Sequence, residues 1–253
     1  MYINDIHILY YLLFGILGLI VGQFVDWCNR RLPEYKKIFT KEIWKEYQLG
    51  FKPNYLLMAI TAIIYLALLY RFGIQDTITA NMKLLKYLIL TPMLLSALVI
   101  DYRMQIIPNR LNLTIFEVGL LFVFIDGATN FSLAINELLG MIAGGGIFLI
   151  ITLIGGIIAG KEAMGFGDVK LMGAIGLYFG WVNVILLSVL SFFIGAILSV
   201  ILLITKKKKS NEYIPFGPFI VISTFGVILI PTNILIYVLL KVFTLGLYKG
   251  KLT

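Results

Sequence analysis

Residues 138–159 and residues 171–205 carry no charge at all, and the second run is 35 residues long. A helix needs about 20 apolar residues to cross a bilayer's hydrocarbon core. The second run is too long for one crossing and slightly short for two. A turn is expected near Gly180-Trp181-Val182-Asn183, with a short first limb starting around Asp168. Between the two runs lies a polar island, Met164-Gly165-Phe166-Gly167-Asp168-Val169-Lys170. A carboxylate at a membrane boundary is costly to desolvate, so its presence needs a reason.

The rest of the chain repeats this block pattern. It has 253 residues, 60% hydrophobic and only 13% charged, with mean hydropathy +0.97. Soluble domains carry about 25% charged residues. The expected fold is all-α, a polytopic integral membrane protein of about eight transmembrane helices, forming one membrane-embedded domain over residues 1–253. The expected spans are 7–25, 55–70, 88–100, 111–125, 138–159, a divided 171–205, and 214–240. Gly18 and Gly22 have the spacing of a close-packing face, and the glycines of 138–159 suit helix packing.

Charge sets the orientation. Residues 26–53 form a basic loop with seven Lys and Arg against four acids. Its Trp44, Tyr47 and Phe51 suit the membrane interface. Cytoplasmic loops collect Lys and Arg, so this loop is placed inside and both termini outside. The inner segments then hold fifteen of the 21 Lys and Arg residues, Lys206 to Lys209 among them. The net charge of +8 is that of loops facing anionic lipid, and no nucleic-acid partner is expected.

Cysteine and histidine usage removes several chemistries. Cys28 is the sole cysteine, which excludes an intrachain disulfide and a cysteine-based zinc site. It is read as an unreactive interfacial thiol. His7 is the sole histidine, which argues against Ser-His-Asp or Cys-His catalysis. What remains is carboxylates. Asp101 follows the third span and Asp168 the fifth, so both fall at the cytoplasmic side. Two carboxylates brought together share a proton. Such a pair can activate water with one member and protonate a leaving amine with the other. Parity alone does not bring them together.

Four ordered segments carry a family resemblance. Gly165-Phe166-Gly167-Asp168 matches the G-x-G-D signature of intramembrane aspartyl proteases. The longer string from Met164 to Leu171, followed by Gly176 and Gly180-Trp181, resembles the type IV prepilin peptidases. So does Asp101-Tyr102-Arg103-Met104-Gln105-Ile106-Ile107-Pro108-Asn109, an Asp followed by Ile-Pro-Asn. Pro215-Phe216-Gly217-Pro218-Phe219 resembles their P-F-G-P segment, and Gly22 to Pro33 their first-loop entry.

The resemblance implies catalytic Asp101 and Asp168, with Gly165, Gly167, Lys170, Pro108, Pro215, Gly217 and Pro218 in supporting motifs. It implies a bacterial cytoplasmic-membrane endopeptidase whose active site lies near the cytoplasmic face. Prepilin or pseudopilin leaders would be its substrates. Many members also N-methylate the new terminus with S-adenosylmethionine. Larger members carry two Cys-x-x-Cys pairs for zinc in the first loop. This chain lacks them, so no metal is expected, and Gln23 and Asp26 replace the family's Ser and Asn. Two other readings stay open, a preflagellin-type peptidase and a small ion-coupled transporter.

Other residues have plain readings beside functional ones. Lys170 either stabilises the ionised Asp pair or snorkels. Arg103 either orients Asp101 or binds lipid phosphate. Asp26 is read as an interface residue. Glu117 would be expensive in lipid and is expected to face the helix bundle. Pro215 to Pro218 either break a helix start or border the substrate groove.

Overall fold

The computed structural model describes residues 2–4, 6–34, 36, 38, 52–160, 164–205 and 214–244. Most of the basic first loop, with Trp44, Tyr47 and Phe51, lies outside the described residues, as do Lys161 and Lys206 to Lys209. The architecture is all-α apart from one antiparallel pair of two-residue strands, β1 (Tyr2–Ile3) and β2 (Ile6–His7). Nine helices are described. They are α1 (Ile8–Arg31), α2 (Tyr55–Phe72), α3 (Ile78–Met104), α4 (Asn109–Thr129), α5 (Phe131–Ala159), α6 (Phe166–Gly176), α7 (Trp181–Ile204), α8 (Gly217–Leu229) and α9 (Thr232–Phe243). Among the described residues six helices, α1 to α5 and α7, are long and apolar enough to cross a membrane; α8 and α9 are shorter and apolar. The protein is a polytopic membrane protein. Leu12, Ile20, Phe124, Ile142 and Ile157 are exposed on these helices, where lipid rather than water is their solvent.

Contacts divide the chain into two compact units, residues 1–104 and 105–253. The first unit packs α1, α2 and α3 together. Without a hydrophobic force between helices in lipid, association depends on close approach. A Cβ on Gly18 would lie 2.5 Å from the Ala62 Cα, and one on Gly22 2.6 Å from the Met58 Cα. The small residues at those two positions therefore set the α1–α2 contact. In α3, Pro92 has no N–H, so the Leu88 carbonyl loses its helical donor. The buried Tyr65 hydroxyl, from α2, donates to that carbonyl at 3.0 Å. The helix stays continuous because its neighbour repairs it.

The second unit is built on α5, which packs against α4, α6 and α7, with α8 on α7. Its tightest crossing is between α5 and α6. A Cβ on Gly140 would fall on the Gly176 carbonyl, and one on Gly176 on the Gly140 carbonyl.

Several helix ends differ from the sequence reading, each for a local reason. α1 runs on through Asp26 to Arg31, because the acid and Arg30 pair one turn apart on the helix. α3 starts at Ile78 rather than Leu88, so most of the expected outer loop at 71–86 is helix. Lys83, which suggested that loop, lies 5.8 Å from the Phe72 ring. The expected outer loop at 126–137 shrinks to Asn130 alone. Its extended backbone ends α4, and its side chain accepts from the Ser132 and Leu133 N–H groups to start α5. The uncharged run 171–205 divides at Gly180, in the left-handed region at φ +75°. The last span is not one helix. Ile230 is extended before Pro231, which splits 214–240 into α8 and α9.

Tyr65→Phe removes only the hydroxyl and orphans the Leu88 carbonyl. It should lower stability by about 1–3 kcal/mol, read as a fall in thermal unfolding temperature in detergent.

Candidate active site

The Gly165–Lys170 segment folds as the start of α6. Gly165, extended at φ −65° and ψ 136°, is the N-cap, and its carbonyl accepts from the Asp168 N–H at 3.0 Å. Asp168 falls in the first helical turn and is 3% exposed. That helix end presents unpaired N–H groups and the positive pole of the helix dipole, which favours a carboxylate. Gly167 lies under the segment that precedes α4. A Cβ there would be 3.3 Å from the Ile107 Cβ, so glycine lets the two backbones approach.

Three side-chain bonds hold α6 against α4. At its start, Asn112 Nδ2 donates to the Gly167 carbonyl at 3.1 Å, and Lys170 Nζ donates to Asn109 Oδ1 at 2.8 Å. Just past its end, the buried Tyr178 hydroxyl donates to the Ile115 carbonyl at 2.8 Å. Gly119 makes room for that ring, since a Cβ there would be 2.9 Å from Tyr178 Cε2. Pro108 is the buried N-cap of α4, and its carbonyl accepts from the Leu111 and Asn112 N–H groups. Beside this corner is a cavity of about 460 Å³ lined by Asn109, Asn112, Leu113, Phe116, Met141 and Lys170, with Gly173 and Ala174 completing it.

The P-F-G-P segment plays a different part. Pro215, Gly217 and Pro218 are buried at the start of α8. Phe216 lies 5.1 Å from the Phe192 ring, 5.6 Å from Phe219 and 5.9 Å from Phe148. These residues form an aromatic cluster and do not line the cavity at α6.

In the first unit, Asp101 is 3% exposed in the last turn of α3, while Arg103 beside it is exposed. Asp26 is buried. It pairs with Arg30 and accepts from Asn54 Nδ2 at 2.8 Å, and Gln23 Oε1 accepts from the Asn54 N–H at 3.1 Å. Asn54 also caps α2. This cluster joins the C-terminal end of α1 to the start of α2. Cys28 is buried and free. Among the described residues no three His, Cys, Asp or Glu side chains gather as a metal set.

Glu117 corrects an expectation, because it is exposed. The buried residues of α4 are Leu111, Asn112, Ile115, Gly119, Phe122 and Val123. Glu117 is two positions from both Ile115 and Gly119, so the 3.6-residue period turns it to the opposite face. Sequence reasoning also missed Asn112. The available signal was an amide in the first turn of an otherwise apolar helix.

Residues 88–200 match the type IV leader peptidase family. The recognition made from the motifs holds over that segment, which contains both Asp101 and Asp168. Among similar curated proteins is the prepilin leader peptidase/N-methyltransferase of Aeromonas salmonicida (strain A449), 31% identical over 147 residues, 58% of this chain and 50% of that protein. The protein of the same name from Pseudomonas aeruginosa is 34% identical over 142 residues, 54% of this chain and 46% of that protein. That of Legionella pneumophila is 30% identical over 166 residues, 65% and 54%. The chain spans about half the length of the curated relatives it matches. No solved structure matches it.

The α5–α6 crossing should be the least tolerant part of this corner. Gly176→Leu must push α6 away from Gly140, costing at least about 1–3 kcal/mol by overpacking. Gly146→Ala, which meets nothing within 4 Å, is the control. Thermal unfolding in detergent should show a large loss in the first variant and almost none in the second.

Proposed function

We propose that this protein is a membrane aspartyl endopeptidase that removes the leader of prepilin or pseudopilin substrates at the cytoplasmic face of the bacterial inner membrane. The observation that carries this reading is the family match over residues 88–200, because it spans both aspartates and their motifs. The match favours the peptidase over an ion-coupled transporter, and the Ile-Pro-Asn and P-F-G-P segments favour the prepilin branch over a preflagellin peptidase.

In the proposed reaction Asp168 takes a proton from water as the oxygen attacks the scissile carbonyl. Asp101 donates its one proton to the developing oxyanion; as the tetrahedral intermediate collapses, Asp168 passes the proton it took from water to the leaving amine and Asp101 recovers a proton from the hydroxyl. The amide C–N bond breaks, and the new terminus leaves with its apolar stem. Asp101 lies in the last turn of α3, in the first unit, and Asp168 in the first turn of α6, in the second. The first turn of α4 holds the Gly167 carbonyl beside Asp168. A basic leader would be drawn to the carboxylates, while its hydrophobic stem stays in the bilayer.

N-methylation rests on the relatives' names alone. In the first unit a cavity of about 230 Å³ is lined by Asn29, Arg30, Glu34, Ile100, Arg103 and Met104, among others. Small-molecule sites run from about 300 to 1,000 Å³. That cavity does not fit S-adenosylmethionine.

Asp101→Asn and Asp168→Asn should each abolish cleavage of a co-expressed prepilin while leaving insertion and expression unchanged. Mass spectrometry of the mature N-terminus checks cleavage and any added methyl group. Cleavage by Asp168→Asn would defeat the mechanism.

A further inference from the structure

Asn112, one of the residues lining the cavity at the start of α6, carries a buried acceptor that no described donor meets. Asn112 is 4% exposed, and its Nδ2 donates to the Gly167 carbonyl. A carbonyl oxygen only accepts, so the amide nitrogen must face Gly167. That contact fixes the amide orientation and turns Oδ1 the other way. Oδ1 is buried and has no hydrogen-bond partner among the described residues. A buried acceptor in that state costs about 1–3 kcal/mol. Lys170, the nearest cation lining the same cavity, is bonded to Asn109.

The wall around this acceptor says what could meet it. Leu113, Phe116 and Met141 are apolar, and the cavity's about 460 Å³ accommodates amino-acid side chains. One acceptor on an apolar wall suits a peptide that presents a backbone N–H beside an apolar side chain. A residue inside a helix has no such N–H to give, because it is bonded to the carbonyl four residues back. The donor must come from an extended segment or from the first turn of a helix, where N–H groups lack partners. Such a segment lies where a leader meets its hydrophobic stem.

We propose that Asn112 Oδ1 is a substrate-positioning acceptor, which binds one backbone N–H of the unwound peptide beside the scissile bond. The same amide holds the Gly167 carbonyl and so ties substrate registration to the turn that carries Asp168. This inference rests on the endopeptidase reading of the site.

The test uses the full chain in detergent and a synthetic peptide with a basic leader and an apolar stem. In a series of analogues an ester replaces one amide near the cleavage point, which removes one N–H at a time. With the wild type, one ester position should raise KM about fivefold, the worth of a net hydrogen bond of about 1 kcal/mol. In Asn112→Leu that ester penalty should vanish, with KM equal for ester and amide. In Asn112→Asp, which keeps an oxygen at the position, the penalty should persist. A penalty of the same size in Asn112→Leu would overturn the proposal, since some other group would then be the acceptor. The wild-type scan also decides alone, because a series with no single sensitive ester defeats the proposal whether or not the variants fold. Failure of the wild type to cleave the all-amide peptide is a different result, which removes the endopeptidase reading and this inference with it.

Discussion

The position of Asp168 depends on how closely α5 and α6 approach. With 11 residues, α6 is about 16 Å long at 1.5 Å per residue and cannot anchor itself across a bilayer. Its place is set by what it touches. The Gly140–Gly176 crossing brings the two backbones together, with Gly144 under the Met172 carbonyl one turn away. Close backbone approach is what holds helices in lipid, where burying a leucine against another helix gains little over burying it in hydrocarbon chains. Tyr178 and Asn112 then fix the two ends of the helix against α4. Three attachments, none of them at Asp168, decide where its carboxylate lies.

The same constraint explains how polar groups are spent elsewhere. An unmet backbone group in hydrocarbon costs several kcal/mol. Tyr65 meets the carbonyl that Pro92 frees, and Asn130 caps a helix that begins one residue after the previous one ends. Asn54 caps α2 while it binds Asp26, so one amide closes a helix end and satisfies a buried acid. Each meets a group that a helix would otherwise leave without a partner.

That is also why the sequence was readable in parts. The apolar blocks, the break at Gly180 and the Gly18–Gly22 packing face follow from length, left-handed backbone and missing side chains, which are local properties. The G-x-G-D turn and the Asp101 segment were legible as motifs. Helix ends were not. Asp126 to Glu137 reads as a polar loop, and only the capping geometry of Asn130 shows that both neighbours continue almost to contact. Pro231 divides the last apolar run although composition continues unbroken. Glu117 was placed by cost rather than by period, and the period was the better guide. Asn112 escaped notice because a single amide carries no motif, and its meaning appears only when α6 lies beside α4.

Lys170 shows why spacing on a short helix matters to the chemistry. It is two residues past Asp168, and residues two apart on a helix do not face each other. Its ammonium reaches Asn109 instead and lies 5.4 Å from the Phe166 ring. A carboxylate clamped in a salt bridge is held ionised and becomes a poor base. Directing the lysine to α4 seats the start of α6 against that helix, with Asp168 in its first turn. A base that must accept a proton from water and later return it works best when its anionic form is favoured but not locked. In the G-x-G-D-x-K order the lysine that helps seat the helix reaches α4.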